Sequence, residues 1–183
     1  ACVPEEARPV DEILVVAEKP SVARDIARVL GASARGEGCL MGGGYVVTWA
    51  IGHLVALKEP EELDERYRRW RAEDLPILPE RMQLKVLPKT RAQFAVVKKL
   101  MNSREIRSII CATDSGREGE LIFRYIYEMA GCQKPVERLW ISSMTDEAIR
   151  AGFAALRPAS CYDALYQSAR CRSEADWLVG MNA

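Results

Sequence analysis

The sequence contains no run of 18 uncharged apolar residues, so it offers no segment able to cross a bilayer as a helix. Residues 1–12 carry Pro and Glu and no apolar signal core, and they read as a flexible lead-in. No two of the six cysteines (Cys2, Cys39, Cys111, Cys132, Cys161, Cys171) stand in C-x-x-C spacing, which removes the usual zinc sites. They read as reduced thiols of a cytosolic protein. Neither charge is in excess: Lys+Arg and Asp+Glu are 26 each. That balance argues against a simple nucleic-acid coat held by phosphate contacts alone, but not against a site where acids and arginines lie side by side. Nothing resembles a P-loop. The only histidine, His53, is of a kind more often found as a structural hydrogen-bonder than as a catalyst.

What is present suits one globular domain: 183 residues, 49% hydrophobic and 28% charged. Ile13-Leu14-Val15-Val16-Ala17 is a continuous apolar run, the mark of a strand covered on both faces. Pro20 and Ser21 open a helix to Leu30, with Gly31 in the C-cap place. Gly42-Gly43-Gly44 turns into a strand over 45–50. The prolines at 60, 76, 79 and 88 predict irregular structure over 57–88, with short helical pieces and a strand near 84–87. An amphipathic helix over 90–101 presents Phe94, Val97 and Leu100/Met101. A second buried strand follows at 108–112, then a helix over 117–130 closed by Gly131, a strand over 136–141, and a helix capped by Thr145 running to Leu156. Ser160 and Asp163 are spaced as a capping box before a last helix. This alternation predicts an α/β fold with a mostly parallel sheet.

The two buried strands each end on a carboxylate, Glu18 and Asp114. In a parallel α/β sheet the carboxyl ends of the strands share one edge, and ligands bind there. Glu118 lies within a turn of Asp114, whereas Glu120 is rotated from Glu118 by about 200° and faces away. Carboxylates brought together repel unless a cation compensates them, and oxygen-only donors favour Mg²⁺. Spacing alone leaves a second reading open, in which Glu18 and Asp114 are polar ends of strands. Lys19, beside Glu18, is able to hold a phosphate oxygen as a point charge or to be an ordinary surface lysine.

The segments 14–21 and 112–120 (Leu-Val-Val-Ala-Glu-Lys-Pro-Ser and Ala-Thr-Asp-Ser-Gly-Arg-Glu-Gly-Glu) resemble two motifs of the Toprim domain, shared by type IA DNA topoisomerases, bacterial primases and some nucleases. Segments 48–54, 70–76 and 175–182 are similar to bacterial type IA enzymes of the topoisomerase III kind, in the same order. The resemblance covers residues 13–183. It implies a Rossmann-like Toprim sheet flanked by helices over 13–158, with 159–183 a helix leading into the next, truncated topoisomerase domain. It implies that Glu18 contacts the metal and assists proton transfer at the leaving 3′ oxygen, that Lys19 and Arg117 bind DNA phosphate, and that Asp114 and Glu118 bind Mg²⁺ with Glu18. The family pattern is usually Asp-x-Asp-x-Glu; Gly116 replaces the second aspartate, which implies a single, water-rich Mg²⁺ site.

The implied reaction is cleavage and rejoining of single-stranded DNA through a 5′-phosphotyrosine, without ATP, in a monomeric bacterial parent enzyme of the cytoplasm. None of the six tyrosines lies in a context like the family's nucleophile, so the chain is expected to be inactive alone. Two other classes remain: a stand-alone Toprim nuclease or primase-like module, and a non-catalytic regulator that binds nucleic acid through a degenerate site. Arg66, Arg68, Arg69 and Arg71 around Tyr67 and Trp70 fit a solvated face better than a DNA track, since Glu65, Glu73 and Asp74 dilute them. Arg170 and Arg172 fit a DNA groove or an exposed helix face equally.

Overall fold

Continuous apolar runs become the middle of a three-layer sandwich in the computed structural model, which describes residues 11–183. Most of the lead-in, with Cys2, lies outside the described residues. Strand β1 (Glu12–Ala17) is followed by helix α1 (Pro20–Leu30), then β2 (Ala34–Gly36), β3 (Cys39–Gly42) and β4 (Tyr45–Trp49). The hairpin strands β5 (Val55–Leu57) and β6 (Leu84–Val86) enclose the short helix α2 (Pro60–Leu63) and two 3₁₀ turns. Helix α3 (Arg91–Met101), strand β7 (Ile106–Ala112), helix α4 (Arg117–Ala130) and strand β8 (Val136–Arg138) come next. Helix α5 (Asp146–Ala154), the two-residue strand β9 (Arg157–Pro158) and helix α6 (Asp163–Asn182) complete the chain.

The main sheet has seven strands in the order β2-β3-β4-β1-β7-β8-β9. Its centre, β4-β1-β7-β8, is parallel, and the outer ladders are antiparallel. Pleating sends alternate side chains of β1 to opposite layers. Leu14 and Val16 join Phe94, Val97 and Ile126 under α3 and α4, whereas Val15 and Ala17 join Ile26, Ile110 and Ile149 under α1 and α5. Each of the large side chains among them contributes about 1.5–3 kcal/mol by leaving water. Because both faces are covered, β1 is apolar from Ile13 to Ala17, and its one charged residue, Glu12, stands at the half-buried start.

Helix ends follow local chemistry. Gly31 takes φ 74°, a left-handed value that closes α1, and its N–H reaches the carbonyls of Ala27 and Arg28. The Thr145 hydroxyl accepts from the Ala148 N–H and caps α5. Ser160 and Asp163 do not form the expected capping box. Residues Ala159–Tyr162 coil into a 3₁₀ turn that runs straight into α6, which has no side-chain cap. The predicted strand over 136–141 pairs only as far as Arg138, and α5 stops at Ala154. Strands β2, β3 and β5 have no counterpart in the sequence pattern. Two are only three residues long, and β3 has a single buried residue, so no clear alternation marks them.

Candidate functional site

The register of the sheet brings the two strand-ending carboxylates together. Ala17 pairs with Ala112, so β1 and β7 end level at the carboxyl edge. Glu18 is 8% exposed, and its Oε2 accepts the backbone N–H of Asp114 at 3.0 Å. The contact is from carboxylate to amide, so no two carboxylates repel there, and the Asp114 side chain stays exposed. Lys19, next in the chain, is also exposed and forms no ion pair among the described residues.

Helix α4 begins two residues after Ser115, with Glu118 and Glu120 in its first turn, where the helix dipole favours negative charge. Gly119 permits the close approach this needs: a Cβ there would lie 2.0 Å from the Asp114 carbonyl oxygen. Gly116, at the N-cap, has extended backbone and open space around its Cα. Asp114, Arg117 and Glu118 share a cleft of about 650 Å³ with His53, Arg172 and Asp176. Glu118 is 70% exposed, and its Oε1 is held by the Nε2 of His53. Among the described residues no three His, Cys, Asp or Glu side chains converge as a ready cation cage. Asp114 and Glu118 thus line one cleft, Glu18 holds the Asp114 amide without lining it, and the three do not close on a point.

Glu120 faces inward, as its rotation required. It is 1% exposed and pairs with Arg124 at 2.9 Å and with the fully buried Arg138 at 3.0 Å. The Arg138–Glu120 contact is a close ion pair without an aligned hydrogen bond. Arg138 also donates to the carbonyls of Cys111 (3.2 Å), Thr113 (2.7 Å), Asp114 (2.7 Å) and Leu139 (3.2 Å). Sequence reasoning missed this residue. The one available signal was a charge at an inward position of a short strand.

The remaining basic residues divide. Arg172 lines the cleft and lies 3.6 Å from Asp176, whereas Arg170 is occupied by Glu174 at 2.7 Å. Arg66, Arg68 and Arg71 pair with Asp64, Glu65 and Glu73 at 3.2–3.4 Å, which is a solvated, self-neutralised face. Five of the cysteines are described, Cys39, Cys111 and Cys132 buried and Cys161 and Cys171 exposed; burial pushes the Cys111 thiol up, so it stays protonated. Among the described residues no helix is long and apolar enough to cross a membrane.

Comparison with known proteins places this geometry. Residues 13–144 match the Toprim domain family. The chain is 55% identical over 170 residues to a DNA topoisomerase 3 of Bacillus thuringiensis (strain Al Hakam), covering 93% of this chain and 23% of that protein. It is 53% identical to the DNA topoisomerase 3 of Bacillus subtilis (strain 168) and 52% identical to that of Shouchella clausii, again over 23% of each. The chain therefore spans about a quarter of the length of the curated relatives it matches, as the 23% coverage shows. Among solved structures, full-length topoisomerase I from Thermotoga maritima shares the fold at a TM-score of 0.53 and 22% identity, covering 79% of this chain and 21% of that one.

Proposed function

The chain belongs to the Toprim domain family, and from that membership we propose that it is the acidic, phosphate-handling part of a type IA DNA topoisomerase of the topoisomerase III kind. The observation that carries the reading is the Glu18–Asp114 contact at the sheet's carboxyl edge, within a stretch similar to topoisomerases on both sides of it. Glu18, held at the Asp114 amide, assists proton transfer at the 3′ oxygen. Lys19, exposed beside it, and Arg117, on the cleft wall, bind DNA phosphate. The nucleophile is a tyrosine supplied by the longer protein, so these 183 residues are inactive alone.

The donor set fits Mg²⁺. Asp114 and Glu118 offer hard carboxylate oxygens to one open cleft, and Glu118 keeps Oε2 available beyond its bond to His53. The absence of a closed cage among the described residues suits an ion that retains several waters and shares phosphate oxygens. Such an ion would supply neutralisation of phosphate charge. The protein's own contribution is orientation and fixed charge at the phosphate, with no need for ATP. The partner is single-stranded DNA, and the parent enzyme is a monomer of the bacterial cytoplasm.

The test is Mg²⁺-dependent relaxation of negatively supercoiled plasmid by the chain extended through the remaining topoisomerase domains. Relaxation by the extended protein and none by the 183 residues is expected. An extended protein that leaves the plasmid supercoiled overturns the reading, and Mg²⁺-dependent DNA hydrolysis by the short chain favours a Toprim nuclease instead.

A further inference from the structure

Arg138 contacts the backbone of Asp114 and is not among the residues that line the cleft. Arg138 is fully buried at the end of β8, beneath the loop that follows β7. There the parallel ladder runs out, and the carbonyls of Thr113 and Asp114 need new donors. The guanidinium supplies them at 2.7 Å each, while Glu120 neutralises it from α4 at 3.0 Å. A planar fork of five N–H donors suits four carbonyls and a carboxylate; the three donors of a lysine radiate from one point.

The peptide group joining Thr113 to Asp114 is planar and trans, so its C=O and N–H point in opposite directions. Its oxygen accepts from Arg138, and its N–H donates to Glu18 Oε2 at 3.0 Å. One rigid peptide thus lies between a buried cation on one side and the Glu18 carboxylate on the other. Fixing the first bond fixes the second. Polarisation along the chain strengthens both, since a carbonyl bound to a cation makes its own N–H a better donor.

We propose that Arg138 is the positioning residue for Glu18, acting through the Thr113–Asp114 peptide, with Glu120 as its counter-charge. The proposal rests on the reading of Glu18 and Asp114 as the acidic site. Arg138→Lys in the 183-residue chain keeps the charge and loses the fork. The readouts are the Asp114 amide proton in ¹H–¹⁵N spectra and the Kd for Mg²⁺ alone by calorimetry. With thermal melting and the core amides of Leu14 and Ile110 kept as in the wild type, the Asp114 amide is expected to move upfield as its bond to Glu18 lengthens. Mg²⁺ binding weakens about tenfold, as for other residues that orient a ligand without touching the ion. A folded Arg138→Lys protein whose Asp114 amide and Mg²⁺ affinity match the wild type overturns the proposal.

Should Arg138→Lys fail to fold, Glu120→Gln decides. It leaves the shape and removes the counter-charge; a displaced Asp114 amide supports the proposal and an unmoved one overturns it. Asp114→Asn separates the two claims. It leaves the amide-to-Glu18 bond in place and lowers Mg²⁺ affinity if the acidic site binds metal. If the wild type binds no Mg²⁺ while Arg138→Lys still shifts the amide, the metal reading fails and the positioning role stands.

Discussion

Glu18 and Asp114 meet through one hydrogen bond, from the backbone N–H of Asp114 to the Glu18 carboxylate at 3.0 Å. The acidic pair at the sheet edge is therefore also a structural fastening between β1 and β7. Glu18→Ala leaves a sheltered N–H without an acceptor and is expected to lose about 1–3 kcal/mol. Glu18→Gln keeps an acceptor oxygen and should lose far less. Urea unfolding of both variants checks this, and equal stability of Glu18→Ala and wild type would show that the bond contributes nothing.

Gly119 faces the same loop from the helix side. A methyl group there would stand 2.0 Å from the Asp114 carbonyl oxygen and 2.9 Å from its nitrogen, both rigid backbone atoms. Gly119→Ala is therefore expected to destabilise by about 1–3 kcal/mol or more, the usual cost of forcing atoms into filled space. Resonances of Asp114 and Ser115 should move with it. A fully stable variant with unchanged Asp114 resonances would contradict the packing described.

Gly116 has the opposite character. Its backbone is extended, and nothing lies within 4 Å of the place a Cβ would take. Gly116→Asp should fold normally, since aspartate is a favoured N-cap residue. It adds a third exposed carboxylate near Asp114 and Glu118, so calorimetry should show tighter Mg²⁺ binding than the wild type. Unaltered or weaker binding would mean that the added acid caps α4 and does not reach the ion.

On the other face of the sheet, Arg28 of α1 donates to Asp146 of α5 at 2.8 Å. That hydrogen bond, with the attraction of the same charge, holds the Asp146 carboxyl below the usual aspartate range. A depressed folded value means that the pair's stabilisation is present above the ordinary aspartate pKa and is lost as pH falls through the depressed one. Arg28→Ala should return the Asp146 titration, followed by carboxyl ¹³C shifts, toward the ordinary value. No change in that midpoint would remove Arg28 as the cause. Both groups are solvent-exposed, so the effect on melting at neutral pH should be small.

Much of the fold and part of the site were legible along the chain. The apolar runs at 13–17 and 109–112 specified strands covered on both faces, because a strand with one face in water would alternate apolar and polar side chains. Gly31 and Thr145 marked helix ends through chemistry confined to a single turn. Glu18, Asp114 and Glu118 could be named because each sits where a strand or helix ends, and the helical rotation already turned Glu120 away from them. Each of these properties depends on neighbours within a few residues.

Tertiary structure decided which groups meet. That Glu18 takes the Asp114 amide depends on β1 and β7 ending level, a register set by packing on both faces of the sheet. The hold of His53 on Glu118 joins residues far apart in sequence, as does the turning of Arg172, not Arg170, toward the cleft. Arg138 is the clearest case. In the sequence it is one arginine between a glutamate and a leucine; buried, it takes up carbonyls that the end of the parallel ladder leaves without donors. The chain alone determined where charge would stand, and the three-dimensional packing determined what that charge would hold, because desolvation and long-range register exist only once the layers have closed.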